Sequence, residues 1–242
     1  MQEIGLWDLI GLAIVLFVAV EVFILSIILF KRNKETKQII NLYFGLMFLF
    51  LFFAVVFLVT EQVSYRILNQ IFLGNITAWL ALLTSGTAGI FISLITFDLT
   101  FSEKKRLLMI PILLLVFSYL VLTFIAIFYL GPPFSFEQGG ELFYAFPIQI
   151  TLYFLISPVL FIAPIVFFYY SIVNRENKPQ SIRSFWMGLA ILVFGVAYLI
   201  EIGPIAIILT VPMRLGYIFS ATVLYICFSM PNWFKKAIKW EE

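Results

Sequence analysis

Between Leu107 and Leu130, and again between Tyr144 and Ile172, the sequence holds no charged residue. Similar runs recur along the chain: Leu9 to Phe30 is interrupted only by Glu21, Ile39 to Val59 by nothing, and Phe72 to Asp98 carries its one charge at its end. About 20 apolar residues at roughly 1.5 Å each cross the hydrocarbon core of a bilayer. In that solvent each backbone N–H and C=O needs a partner within its own segment, and continuous apolar runs of this length meet the demand as α-helices. The stretch from Phe185 to Met230 is too long for one crossing and suits two. The expected fold is therefore all-α: a polytopic membrane protein, a seven-transmembrane-helix bundle over residues 1–230 followed by a basic juxtamembrane tail over 231–242. Its spans fall at about 9–30, 39–59, 72–98, 107–130 and 144–172. The last two lie at 185–203 and 205–230, or at 185–210 and 212–230, because the turn is expected at Gly203-Pro204 or at Thr210–Pro212.

Composition agrees: 63% of residues are hydrophobic and 12% charged, against about a quarter charged in average globular chains. Orientation follows from the basic residues. Lys31, Arg32, Lys34, Lys37, Lys104, Lys105, Arg106, Arg175, Lys178, Arg183, Lys235, Lys236 and Lys239 follow spans 1, 3, 5 and 7, which is thirteen of the fifteen. Arg66 and Arg214 remain for the other side. The positive-inside rule then puts the N-terminus outside and the C-terminus in the cytoplasm, with the cell (plasma) membrane as the location. The short acidic start lacks the basic region and small-residue exit of a signal peptide, so the first span is expected to be retained. The tail Trp233 to Trp240 alternates aromatics with lysines, as an interfacial segment does.

The third span is expected at the centre of the bundle. Ala81, Ser85, Gly89 and Ser93 recur every four positions and form one small-residue face, which lets neighbouring helices approach closely. Packing is one reading of that face and a ligand groove the other. Trp79, Leu83, Ile90, Leu94 and Phe97 form the bulky arc, with Ile90 facing lipid. Glu61 to Gln70 reads as a short polar loop leading into this span, and Gly131 to Gly140 as the longest loop. Pro147, Pro158 and Pro164 are expected to kink the fifth span.

Histidine is absent and the one cysteine, Cys227, lies in an apolar run. His-based metal sites, Ser-His or Cys-His catalysis and an internal disulfide are thereby excluded. No catalytic residue, cofactor or metal site is expected, and no nucleic-acid partner. Glu21 lies about 15 Å above the inner boundary of span 1, where an ionised carboxylate is costly. It is either a ligand or ion contact or a protonated carboxyl bonded to a neighbouring helix. Asp98 is either an interfacial carboxylate near Lys104 to Arg106 or a cytoplasmic switch. Whichever turn joins the last two spans, Glu201 or Arg214 lies near half depth, and the two are expected to approach across an outer-facing cavity with Glu21 below it. They form a helix-pinning ion pair or a ligand site. Asn75-Ile76-Thr77 matches a glycosylation sequon and, at the membrane edge, is read as fortuitous.

Seven spans, a short polar loop before the Trp79-bearing third span, and an exit at Met230-Pro231-Asn232-Trp233 before a basic segment resemble the seven-helix sensory membrane regions that precede histidine kinase and cyclase-type output domains in prokaryotes. The resemblance implies a sensor or receptor-like module. With no output domain expected after the tail, the signal would pass to a cytoplasmic or membrane partner. Microbial rhodopsins share the layout, but they carry retinal on a lysine of the last span and no span here holds a lysine. Two functions stand: a non-enzymatic sensor, and a small transporter or channel using Glu21, Glu201 and Arg214. An intramembrane aspartyl protease needs two aspartates, and only Asp98 is near a span.

Overall fold

A computed structural model of the chain describes residues 6–130, 134–136, 142–202 and 207–240. Helix α1 (Leu6–Thr36) is followed by α2 (Ile39–Arg66) and α3 (Ile71–Thr100). A single 3-10 turn leads into α4 (Lys105–Tyr129), after which β1 (Phe134–Phe136) pairs antiparallel with β2 (Leu142–Tyr144), Ser135 opposite Phe143. Then come α5 (Phe146–Thr151), a π-helical turn (Leu152–Ile156), α6 (Ser157–Val173), α7 (Lys178–Ile202), α8 (Ile207–Ser229) and α9 (Asn232–Ala237). Among the described residues, six helical stretches are long and apolar enough to cross a membrane: 13–36, 39–65, 71–100, 102–129, 146–173 and 178–200. The chain is thus a multi-pass helical membrane bundle, with a strand pair at one end, the hairpin end, and α9 at the other, the tail end.

The breaks are made by residues that can leave a helix sharply. Lys37 between α1 and α2, Asn69 between α2 and α3, and Met230 between α8 and α9 each adopt positive φ, 54°, 49° and 47°. At Met230 this left-handed residue closes α8 through its N–H to the Ile226 carbonyl at 3.0 Å, and Pro231 then prevents continuation. Helix α7 ends at Ile202 and α8 begins at Ile207, so Pro212 lies inside α8.

Helix α3 is a wall shared by two side-by-side cores. Ala88, Ile92 and Ile95 pack with α1, α2, α6, α7 and α8, while Ala78, Leu82 and Phe97 pack with α4, α5 and the start of α6. Ala81 and Ser93 are buried at 4% and 0% exposure, Gly89 is buried and Ser85 half-buried. Phe97, assigned to the bulky arc, is buried at 4%, and Ile90 is half-buried against the second core rather than facing lipid. The arc meets α4, because a helix between two cores has little surface left for lipid.

Two further expectations change. The predicted loop from Glu61 is helical: α2 continues to Arg66, a length of about 42 Å over its 28 residues. The helix outruns the hydrocarbon core, and its polar last turns bury Glu61 and Ser64 instead of leaving them in water. Pro147 and Pro158 stand in the first turns of α5 and α6, and of the three prolines expected to kink the fifth span only Pro164 lies within its helix. Pro158 has no N–H to donate four residues back and its ring crowds that carbonyl. The ladder changes register immediately before it, with the Ser157 N–H reaching the Leu152 carbonyl and the Ser157 hydroxyl taking the Tyr153 carbonyl. That π turn is the physical consequence of the proline.

Candidate functional site

Glu61 is the most enclosed charged side chain among the described residues, 1% exposed in the penultimate turn of α2. The Tyr144 hydroxyl, at the end of β2, donates to its Oε2 at 3.4 Å, and Tyr65, one turn on, is its electrostatic neighbour. Burial holds the Tyr144 phenol protonated well above its ordinary pKa, and the adjoining Glu61 carboxylate adds to the shift. Tyr65 in turn donates to Asn75 Oδ1 of α3. Its ring lies over Gly74, where a Cβ would come within 2.5 Å of it.

The cluster continues inward. Tyr119 of α4, 0% exposed, donates to the Leu82 carbonyl at 3.2 Å and interacts with Tyr198 and Ser85. The Ser85 and Tyr198 hydroxyls lie 3.1 Å apart, linking α3 to α7. Gly86 makes the seat for Tyr119, since a Cβ there would come 2.9 Å from the ring. Tyr153, in the π turn, donates to the Leu199 carbonyl of α7 at 2.9 Å. One carboxylate and a file of phenols therefore join β2, α2, α3, α4 and α7. Phenols donate to carboxylates and carbonyls without carrying charge, so the group can hold a buried carboxyl.

Among the described residues, Glu21, Asp98 and the small-residue face of α3 have separate partners. Glu21 of α1 accepts from the Thr222 hydroxyl of α8 at 2.7 Å. Arg214 is half-buried on α8, two turns toward the hairpin end from Thr222, whereas the Glu201 side chain lies outside the described residues, as do Gly203 to Ala206. Asp98 is paired with Lys105, whose ammonium also sits over the Tyr43 ring at 5.7 Å, so the carboxylate ties α3 to the start of α4. Of the small-residue face, Ser85 alone joins the tyrosine cluster. Sequence reasoning passed over Glu61, Tyr144, Tyr119 and Tyr198. The available signal was the continuation of α2: Glu61, Ser64 and Tyr65 follow the apolar run at helical spacing, on one face.

At the tail end, two arginines satisfy the last carbonyls of α8. Arg32 of α1 donates to the Phe228 carbonyl and Arg183 of α7 to the Cys227 carbonyl, both at 2.8 Å. Arg183 also lies between the Phe228 and Trp240 rings, at 5.5 and 5.8 Å. Phe234 and Ile238 bury against the bundle, so one face of the predicted interfacial tail is held by protein while Trp233, Lys236 and Lys239 point outward.

Fold and site together define a class, a multi-pass helical membrane bundle with a carboxylate–tyrosine cluster enclosed at its hairpin end. Comparison with protein-family models, curated proteins and solved structures found no match.

Proposed function

We propose that the chain is a non-enzymatic sensor or receptor-like module of the plasma membrane, with α8 as the seventh crossing, the hairpin end outside and the tail in the cytoplasm. Thirteen of the fifteen basic residues support that orientation. The observation that carries the functional reading is the Glu61–Tyr144 contact. It fastens the chain emerging from the strand pair to α2 through a carboxylate that is 1% exposed. A ligand that draws Tyr144 outward strips a buried carboxylate of a donor, a loss on the order of 1–3 kcal/mol. Such a loss suffices to shift a two-state arrangement of α2, α3 and α7. The half-buried Ser85–Tyr198 and Tyr153–Leu199 contacts carry the shift to α7, whose other end holds Arg183 against the tail.

A transporter needs its intramembrane carboxylates along one path, and Glu21 bonds outward across α1 and α8 rather than toward Glu61. The test is ion flux in proteoliposomes. A sensor leaves sodium, potassium, chloride and proton flux at the level of protein-free vesicles. Flux that Glu61→Gln or Glu21→Gln abolishes would replace the sensor reading with transport.

A further inference from the structure

Arg32 and Arg183 reach the end of α8 from two different helices, α1 and α7, and donate to consecutive carbonyls, those of Phe228 and Cys227, about 1.5 Å apart along the axis. The two guanidiniums are electrostatic neighbours, and among the described residues neither has a carboxylate partner. The carbonyl end of a helix carries about half an elementary negative charge. Against two full positive charges, that leaves more than one positive charge unbalanced. Both side chains are half-buried, and neither has a nitrogen that is closed off from the surface without a hydrogen bond. Arg183 spends its Nε–H on α8 and Arg32 its Nη1, so Nη1 and Nη2 of Arg183 and Nε and Nη2 of Arg32 remain as donors at the surface. The planar fork of a guanidinium matches two oxygens of a phosphate.

Depth selects the source of that phosphate. Arg32 precedes the end of the apolar stretch 13–36, and Arg183 follows the start of 178–200, each by about 6–8 Å, where hydrocarbon gives way to headgroups. One turn nearer mid-membrane, on the same helix faces, stand exposed apolar side chains, Ile28 beyond Arg32 and Trp186 beyond Arg183. A soluble anion would use the arginines alone, whereas a phospholipid meets both the arginines and the apolar surface beyond them. We propose that Arg32 and Arg183 bind the phosphate of an anionic phospholipid in the leaflet at the tail end, with its acyl chains against α1 and α7. Basic pockets between transmembrane helices hold anionic headgroups in this way. The exposed Lys34 and Lys236 draw anionic lipid toward the same surface without the geometry to hold one headgroup.

The probes are dioleoyl phosphatidylglycerol, dioleoyl phosphatidylcholine and inorganic phosphate, titrated onto the full chain in detergent while native mass spectrometry counts the bound lipid. Phosphatidylglycerol is expected to fill one site about tenfold more tightly than phosphatidylcholine, and excess inorganic phosphate to leave it in place. The preference should fall to about twofold or less in Arg32→Gln and in Arg183→Gln. Lys34→Gln with Lys236→Gln removes charge from exposed positions and should keep the preference. Equal affinity of the parent chain for the two lipids overturns the proposal, and that comparison needs no variant to fold. A preference lost as fully in the lysine variant as in the arginine variants would reduce the site to diffuse attraction and overturn it. Displacement of the lipid by inorganic phosphate would assign the arginines to a soluble anion. A preference that emerges only in Glu241→Gln with Glu242→Gln would assign them to the carboxylates that follow Trp240, and either result overturns the proposal as well.

Discussion

Glu61 and Tyr144 illustrate how much a single polar contact weighs when both groups are enclosed. At 1% and 7% exposure neither can turn to water, so each depends on the other and on the neighbouring phenols. Tyr144→Phe leaves the carboxylate short of a donor and is expected to lower stability by about 1–3 kcal/mol. Glu61→Gln keeps an acceptor of the same shape and costs less, and the double variant costs less than the sum of the two by about 0.5 kcal/mol or more. Thermal unfolding in detergent, followed through the reaction of buried Cys227 with a thiol dye, measures all three. Strict additivity would mean that the two side chains are neighbours without being partners.

Among the elements, α3 and the tail carry the clearest expectations. A Cβ at Gly89 would already sit 3.2 Å from Val159, and the side chain of Gly89→Leu has to displace α6. The variant should lose about 1–3 kcal/mol, more than Ile90→Ala, which trims a half-buried side chain; equal melting temperatures would take α3 out of the centre. Arg183 caps α8 and supports Trp240 at once. In Arg183→Ala the tail should be released, and limited trypsin digestion should cut after Lys235, Lys236 or Lys239 several times faster than in the parent, the factor expected from about 1 kcal/mol of lost capping and cation–π contact. Unchanged digestion would show that Phe234 and Ile238 hold the tail unaided. Elements of this kind were legible in the sequence to different degrees. Apolar length located the six stretches long and apolar enough to cross a membrane, because bilayer thickness acts on the chain locally, and the small residues of α3 announced close packing for the same reason. The end of α2 was not legible from polarity, since a polar residue at a membrane edge is equally compatible with water and with a buried partner. Glu61 finds that partner in Tyr144, 83 positions away, through tertiary contact alone. The register change before Pro158 was half visible: the proline marks the place, but whether the helix kinks or takes a π turn depends on what Tyr153 and Ser157 can reach.

The hairpin end and the tail end are joined by α7, which touches both. Helix α7 meets the cluster through Tyr198 and the tail through Arg183, and the fifteen residues from one to the other make a lever of about 22 Å. A rigid element of that kind transmits a small shift only if its two ends have alternative arrangements. The Glu61–Tyr144 contact and the Arg183–Trp240 stack are where those alternatives would lie. The most direct measurement is a spin-label distance between Glu35→Cys at the end of α1 and Ala237→Cys in α9, in Cys227→Ala chains reconstituted in lipid nanodiscs, with and without Tyr144→Phe. If the hairpin contact controls the tail, Tyr144→Phe should shift or broaden this distance distribution in the same direction as Arg183→Ala does. Superimposable distributions with and without Tyr144→Phe, in chains where Arg183→Ala still moves the tail, would contradict the coupling and leave Glu61–Tyr144 as a structural contact.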